Sequence, residues 1–312
     1  MRYLRADERC LICSLRQAEN LLKKTITSPE KRWVIFREVF RIMSEMKWGM
    51  KPLEVNGEVH RFIMEYIKEE DPFKEEKRRS NDMAMKLVEM FRPEILNSPD
   101  PVYSAAKLAV SGNLIDLGIP GWSVDEIFEK LHEAYERPFD REDFEEFRNV
   151  LMNASTLFYV ADNAGEIVFD KFFIEVLKME NPSLEVVVAV RGKPIINDAT
   201  IEDAKYIGLE EIATVISSGV DEPGVMLDKA SEEFRKAFFE FDVVISKGQG
   251  NFEGLYEEEK KNLFFLLTAK CDFVAEVLNV PLGGKVFITF LWAVRSSSLL
   301  PPSDFSCGGE RS

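Results

Sequence analysis

Three short segments hold the residues best suited to chemistry: Asp162-Asn163-Ala164-Gly165-Glu166, Arg191-Gly192-Lys193-Pro194-Ile195-Ile196-Asn197-Asp198 and Lys247-Gly248-Gln249-Gly250-Asn251. Their carboxylates and carboxamides are hard oxygen donors of the kind that bind a divalent cation. Their cationic side chains and glycine-freed amides are of the kind that bind phosphate. Asp162 and Asn163 can each offer a side-chain oxygen to one cation, and Asp198 adds a second carboxylate. A magnesium-type site takes few protein ligands and leaves room for water and a substrate oxygen. Gly165 lets the backbone approach closely at a helix start, where free N–H groups attract an anion. Lys247 can neutralise a phosphoryl group while Gly248 and Gly250 let the chain wrap it.

Each segment also has a purely local explanation. Asn163 with Glu166 three residues on is a capping-box pattern. Asp198-Ala199-Thr200 can cap the next helix. The Lys247 segment can be a glycine-rich turn with an exposed lysine. A fourth segment, Ser111-Gly112-Asn113-Leu114-Ile115-Asp116, either ends a helix or brings Asn113 and Asp116 to the pocket.

What would unite distant segments is an open parallel sheet, whose strands point their carboxyl ends into a shared crevice. Each of the three follows a short apolar run: 156–161, 184–190 and 241–246. Further strands are expected at 212–217 and 286–290, with helical patterns between them. Strand and helix alternating in this way imply an α/β domain with a mostly parallel sheet and helices on both faces. Residues before 154 read as helical instead. Ile12, Leu15, Ala18, Leu21 and Leu22 recur at helical spacing, and Ser28-Pro29-Glu30 is a helix start. Helices are expected near 58–69, 73–91, 99–111, from 123, and over 141–152. The expected division is a helical domain at 1–153, the α/β domain at 154–295 and a turn-rich tail at 296–312.

Composition narrows the function classes. A net charge of −15 opposes a nucleic-acid partner, although a local cation can still bind a small phosphate. No run approaches the ~20 apolar residues of a membrane span, and the charged start lacks a signal peptide's apolar stretch, so the expected location is cytoplasmic. His60 and His132 are the only histidines, both expected on helix surfaces, which excludes a Ser-His-Asp triad and an imidazole-rich zinc site. Cys10 and Cys13 form a lone CxxC. It reads as two half-buried thiols, a redox pair, or part of a metal site with a third thiol such as Cys271.

Taken in order, Cys10-x-x-Cys13, Gly112-Asn113-x-x-Asp116, Asp162 to Glu166, Pro194 to Asp198 and Lys247 to Asn251 resemble the damage-control phosphatase family, long catalogued as domain of unknown function 89. The resemblance is to the archaeal-type branch with an N-terminal CxxC. It implies a helical domain joined to a Rossmann-like domain, and metal-dependent hydrolysis of small phosphorylated metabolites such as damaged or overflow sugar phosphates. It also implies metal ligands at Asp162, Asn163 and Asp198 and a phosphate-binding lysine at Lys247. The implied cofactor is Mg²⁺, Mn²⁺, Co²⁺ or Ni²⁺. Asp162, Glu166 and Lys247 are then the catalytic candidates. Asn113, Asp116, Gly165, Arg191, Asn197, Lys247, Gly248 and Asn251 are the candidates for holding the phosphate and the rest of the substrate. Position 164 is alanine, so the Asp-x-Asp of aspartyl-phosphate enzymes is absent, which favours metal-bound water as nucleophile. An S-adenosylmethionine-dependent carboxyl methyltransferase fits less well: Asp162 to Glu166 carries one glycine, and Arg191 stands where a ribose-binding acid belongs. A non-catalytic metal or phosphometabolite-binding protein is the remaining alternative.

Overall fold

The computed structural model describes residues 4–67, 70–115 and 123–289. Asp116, Cys307 and the tail expected at 296–312 lie outside them. The described residues form one sheet of seven strands, to which the expected apolar runs supply all but β1 and β6: β1 (Arg141–Glu142), β2 (Thr156–Val160), β3 (Glu185–Val190), β4 (Thr214–Ser217), β5 (Val243–Lys247), β6 (Leu263–Thr268) and β7 (Lys285–Thr289). Their order is β1-β7-β6-β5-β2-β3-β4. Only the β6–β7 pair is antiparallel.

Twelve α-helices accompany them among the described residues: α1 (Glu8–Thr25), α2 (Pro29–Ser44), α3 (Pro52–Tyr66), α4 (Lys74–Leu96), α5 (Pro101–Ser111), α6 (Val124–Glu136), α7 (Phe144–Leu151), α8 (Glu166–Glu180), α9 (Ile201–Tyr206), α10 (Glu232–Glu240), α11 (Gln249–Leu255) and α12 (Asp272–Leu278). Local signals start several of them. The Asp7 side chain accepts from Arg9 N at the start of α1, and Ser28 caps α2 with Pro29 just inside.

Both faces of the sheet are covered, as strands without a polar face require. Leu157 and Tyr159 pack on one side with Phe169 and Phe173 of α8, while Phe158 and Val160 pack on the other with Phe234 and Phe252. The first of these cores also takes Leu87 and Phe91 of α4, Leu108 of α5 and Phe147 of α7, so it runs across residue 153. A separate cluster, including Leu21, Ile35, Val39 and Ile63, binds α1, α2 and α3 together.

Three expectations need correction. Leu263–Thr268 is a strand that periodicity did not reveal, because a short run of continuous apolar residues has no period of its own. Residues 141–152 are not one helix: Arg141 and Glu142 pair with β7, and the helix begins at Phe144. His60 is not a surface residue but is 3% exposed, facing inward from α3.

Burial lowers the pKa of His60 to about 4, so the folded protein keeps the ring neutral. Below the unfolded value of about 6.5 the unfolded chain binds the proton more readily. Stability should therefore fall between about pH 6.5 and 4, by up to about 3 kcal/mol at 1.36 kcal/mol per unit. Urea unfolding across that window would measure it. A His60→Leu variant should lose less stability than wild type over the same window, and an equal loss would contradict this account.

Along the chain, β2, β3 and β4 step across the sheet in one direction, whereas β5 and β6 step in the other. The order thus reverses between β2 and β5. Loops leaving such a switch point diverge and open a crevice at the carboxyl ends.

Candidate active site at the strand ends

The loops after β2 and β3 are held together by their own backbones. Ala199 N donates to Asp162 O (2.8 Å) and Ala164 N to Asn197 O (2.9 Å), with Asn163 and Asp198 paired in an isolated bridge. The side chains of Asp162, Asn163 and Asp198 thereby meet below solvent, at 7%, 5% and 4% exposure. Arg191, at the end of β3, spans the two acids: Nε donates to Asp198 Oδ2 (2.5 Å) and Nη2 to Asp162 Oδ1 (3.2 Å). Asn163 Nδ2 donates to Asp162 Oδ2 (3.1 Å) and to Glu166 Oε2 (3.3 Å).

The capping alternatives do not describe this arrangement. Gly165, at φ 79°, is the N-cap of α8, and no side chain caps that helix. Thr200 and Asp203 form the capping box of α9, leaving Asp198 to Arg191. The amide just before α8 also has a partner: Gly165 N donates to Asn81 Oδ1 of α4 (2.6 Å).

Lys247 is fully buried rather than displayed on a turn. Its Nζ donates to Glu166 Oε1 (2.7 Å), Asp170 Oδ1 (2.5 Å) and Ala109 O (3.1 Å). Tyr159 OH donates to the same Asp170 oxygen (2.7 Å). Burial disfavours the Lys247 ammonium, but Asp170 and Glu166 outweigh that cost and its pKa is raised. Asn251 Nδ2 donates to Ala161 O and Lys247 O, stitching the end of β5 to the end of β2. Asn113 lies on the 3-10 turn after α5, and its Oδ1 is buried without a partner.

The donor set suits a hard divalent cation. Four buried carboxylates, Asp162, Glu166, Asp170 and Asp198, face two buried cations, Arg191 and Lys247. That is a formal deficit of two positive charges. Burial, then Asp198 and Glu166, push the Asp162 carboxyl up to about 8. Burial also raises Asp198, against the pull of Arg191. Gly248 makes the space available: at φ 79°, an added Cβ would lie 1.9 Å from Asp162 Oδ2. Gly248→Ala should therefore displace the Asp162 carboxylate and reduce phosphate release about 100-fold, the effect of a misplacement near 1 Å. Circular dichroism should show the fold retained, and an unimpaired Gly248→Ala enzyme would mean the carboxylate needs no such clearance.

Three residues of this region carried too little sequence signal to be chosen. Asp170 stands alone in the apolar run Ile167 to Ile174 apart from Lys171, which is the clue it offered. Asn81 sits in the polar stretch Arg78 to Asp82 and is indistinguishable there from a solvated face. Lys270 follows β6, the strand that periodicity missed. Its exposed ammonium lies near enough to favour ionisation of Asp162 and Asp198, against the burial that opposes it.

Comparison with known proteins agrees with this architecture. The family model for the damage-control phosphatase ARMT1-like domain matches residues 6–286. A damage-control phosphatase of Pyrococcus horikoshii is 33% identical over 284 residues, covering 91% of this chain and 97% of its own. A damage-control phosphatase of Archaeoglobus fulgidus is 33% identical over 254 residues, covering 80% and 86%. The crystal structure of a Pyrococcus horikoshii protein of the domain-of-unknown-function-89 family has a TM-score of 0.85 at 32% identity, covering 92% of this chain and 99% of that one. A match across nearly the whole length, in sequence and in fold, places the chain in the damage-control phosphatase family.

Proposed function

We propose that the chain is a metal-dependent phosphatase of small phosphorylated metabolites, with its centre at Asp162, Asn163 and Asp198. The observation that carries this reading is the convergence of two strand-end carboxylates on one guanidinium. It is supported by the names of the relatives, which are damage-control phosphatases. No helix among the described residues is long and apolar enough to cross a membrane.

Mg²⁺, Mn²⁺, Co²⁺ or Ni²⁺ held by those three side chains would polarise a phosphoryl oxygen and lower the pKa of a bound water. The protein's own residues do the rest. Asp162 and Asp198 anchor the centre, and Asn163 is oriented by Glu166. Lys247 keeps Glu166 in place from below. Arg191 Nη1, buried and without a partner, remains to donate to a phosphoryl oxygen. Lys270 approaches from the exposed side and offsets charge that shifts onto the phosphoryl oxygens during transfer. Asn113, with its unpartnered oxygen, is available to a hydroxyl of the leaving group.

The test is a panel of phosphorylated metabolites assayed with each divalent cation, with a chelator control. Phosphate release that requires metal and stops on chelation is expected. Tight phosphometabolite binding without release at any metal would favour the non-catalytic alternative.

A further inference from the structure

The Cys10-x-x-Cys13 motif plays no part in the site above, yet the fold brings it to a third thiol. A cavity of about 480 Å³ is lined by Cys10, Cys13, Cys271, Glu253, Gln17 and Gln249, among others. Cys10 and Cys13 lie three positions apart on α1, the spacing that puts side chains on one helix face. Cys271 comes from the loop between β6 and α12, and Glu253 from α11. Arg9 fastens α1 to that region, with Nη1 2.8 Å from Glu276 Oε1 of α12. Glu253 is 6% exposed and Cys10 7%, whereas Cys13 is exposed and Cys271 half-buried.

We propose that Cys10, Cys13, Cys271 and Glu253 form a second metal site, which takes a thiophilic divalent cation such as Zn²⁺. Three sulfurs and one carboxylate supply the four donors of a tetrahedral site. A redox dithiol would use two thiols and leave both Cys271 and the buried Glu253 without a purpose. Side-chain amides already point at the donors. Gln249 Nε2 donates to Glu253 Oε1 (2.8 Å) and to Cys271 Sγ (3.4 Å), and Gln17 Nε2 to Cys13 Sγ (3.4 Å). Such N–H groups orient metal ligands from outside the coordination sphere. The donors share a cavity without yet sharing a coordination sphere. Metal uptake would thus draw α1 onto the β6–α12 loop, with each coordinating thiol releasing its proton to solvent. That loop carries Lys270 beside Cys271, and Lys270 N donates to Gln249 Oε1 (2.8 Å). The second metal would therefore fix the segment that presents Lys270 to the strand-end site.

The reduced full-length protein should be titrated with Co²⁺, which gives a near-ultraviolet charge-transfer band only with thiolate ligands. Native mass spectrometry with Zn²⁺ would count the ions. One thiolate-bound metal is expected in wild type and in Asp162→Asn, so the result is independent of the strand-end site. The band should weaken or disappear in Cys271→Ser and in Cys13→Ser, the second of which alters an exposed residue and leaves the core untouched. A Cys307→Ser control should keep it. Absence of the band in reduced wild type, or an undiminished band in Cys271→Ser, would overturn the proposal. So would a reduced protein that takes up no thiolate-bound metal but loses two hydrogen atoms on oxidation through a Cys10–Cys13 disulfide.

Discussion

Asp162→Asn should lower metal-dependent phosphate release from a generic aryl phosphate by about 10³-fold or more. A bound metal supplies several kcal/mol of charge stabilisation, and each 1.36 kcal/mol is a factor of ten in rate. The carboxamide preserves size and one acceptor oxygen but removes the charge that would hold the cation. The fold should survive the change. Because burial and the neighbouring acids raise the Asp162 pKa to about 8, the folded protein already disfavours that charge at neutral pH. Removing it should leave the unfolding midpoint unchanged or higher. Lost activity with retained stability marks a residue kept for chemistry. Full activity in Asp162→Asn would remove it from the mechanism.

Lys247→Met should act the other way round, chiefly on stability. It would leave Glu166 and Asp170 buried beside each other without their shared cation, and Asp170 Oδ2 already lacks a partner. Breaking a buried ion pair by removing one member typically costs ~3–5 kcal/mol. A large fall in the denaturant midpoint is expected, and an unchanged midpoint would show that the ammonium is not needed to hold the acids. Lys270→Met is the informative contrast. Its side chain is exposed, so the stability change should stay within roughly 0.5 kcal/mol. Activity should nevertheless drop about 100-fold if the ammonium stabilises the transferring group.

Much of the sheet could be read from the chain because each strand before the crevice is a compact apolar run ended by a polar motif. Val186 to Val190 and Val243 to Ile245 needed no partner to be recognised. Leu263–Thr268 did, since a short apolar run cannot be told from a buried helix segment by periodicity alone, and no motif of hard oxygen donors marks its end. Missing it hid Lys270, whose proposed role comes entirely from its place at a strand end. His60 was misplaced for a similar reason. Glu58 and Arg61 beside it look like a solvated face, but the ring itself points between α1 and α4, where it lines a cavity with Leu21 and Phe73.

The chain by itself determined the class of chemistry. Asp162, Asn163 and Asp198 are oxygen donors whatever their neighbours, and their positions after strand-forming runs follow from residue type and order. Tertiary structure decided the use of each side chain. Asn163 could cap a helix or lie beside the acids, and the backbone pairing of its loop with Asp198 sets its side chain against Asp162 and Glu166. Lys247 could face solvent or the interior, and the acids of α8 drew it inward. The physical reason is that local preferences for capping and exposure are worth about a kcal/mol, whereas a buried charge left without its partner costs several. Only the packing of segments far apart in the chain determines where those partners are.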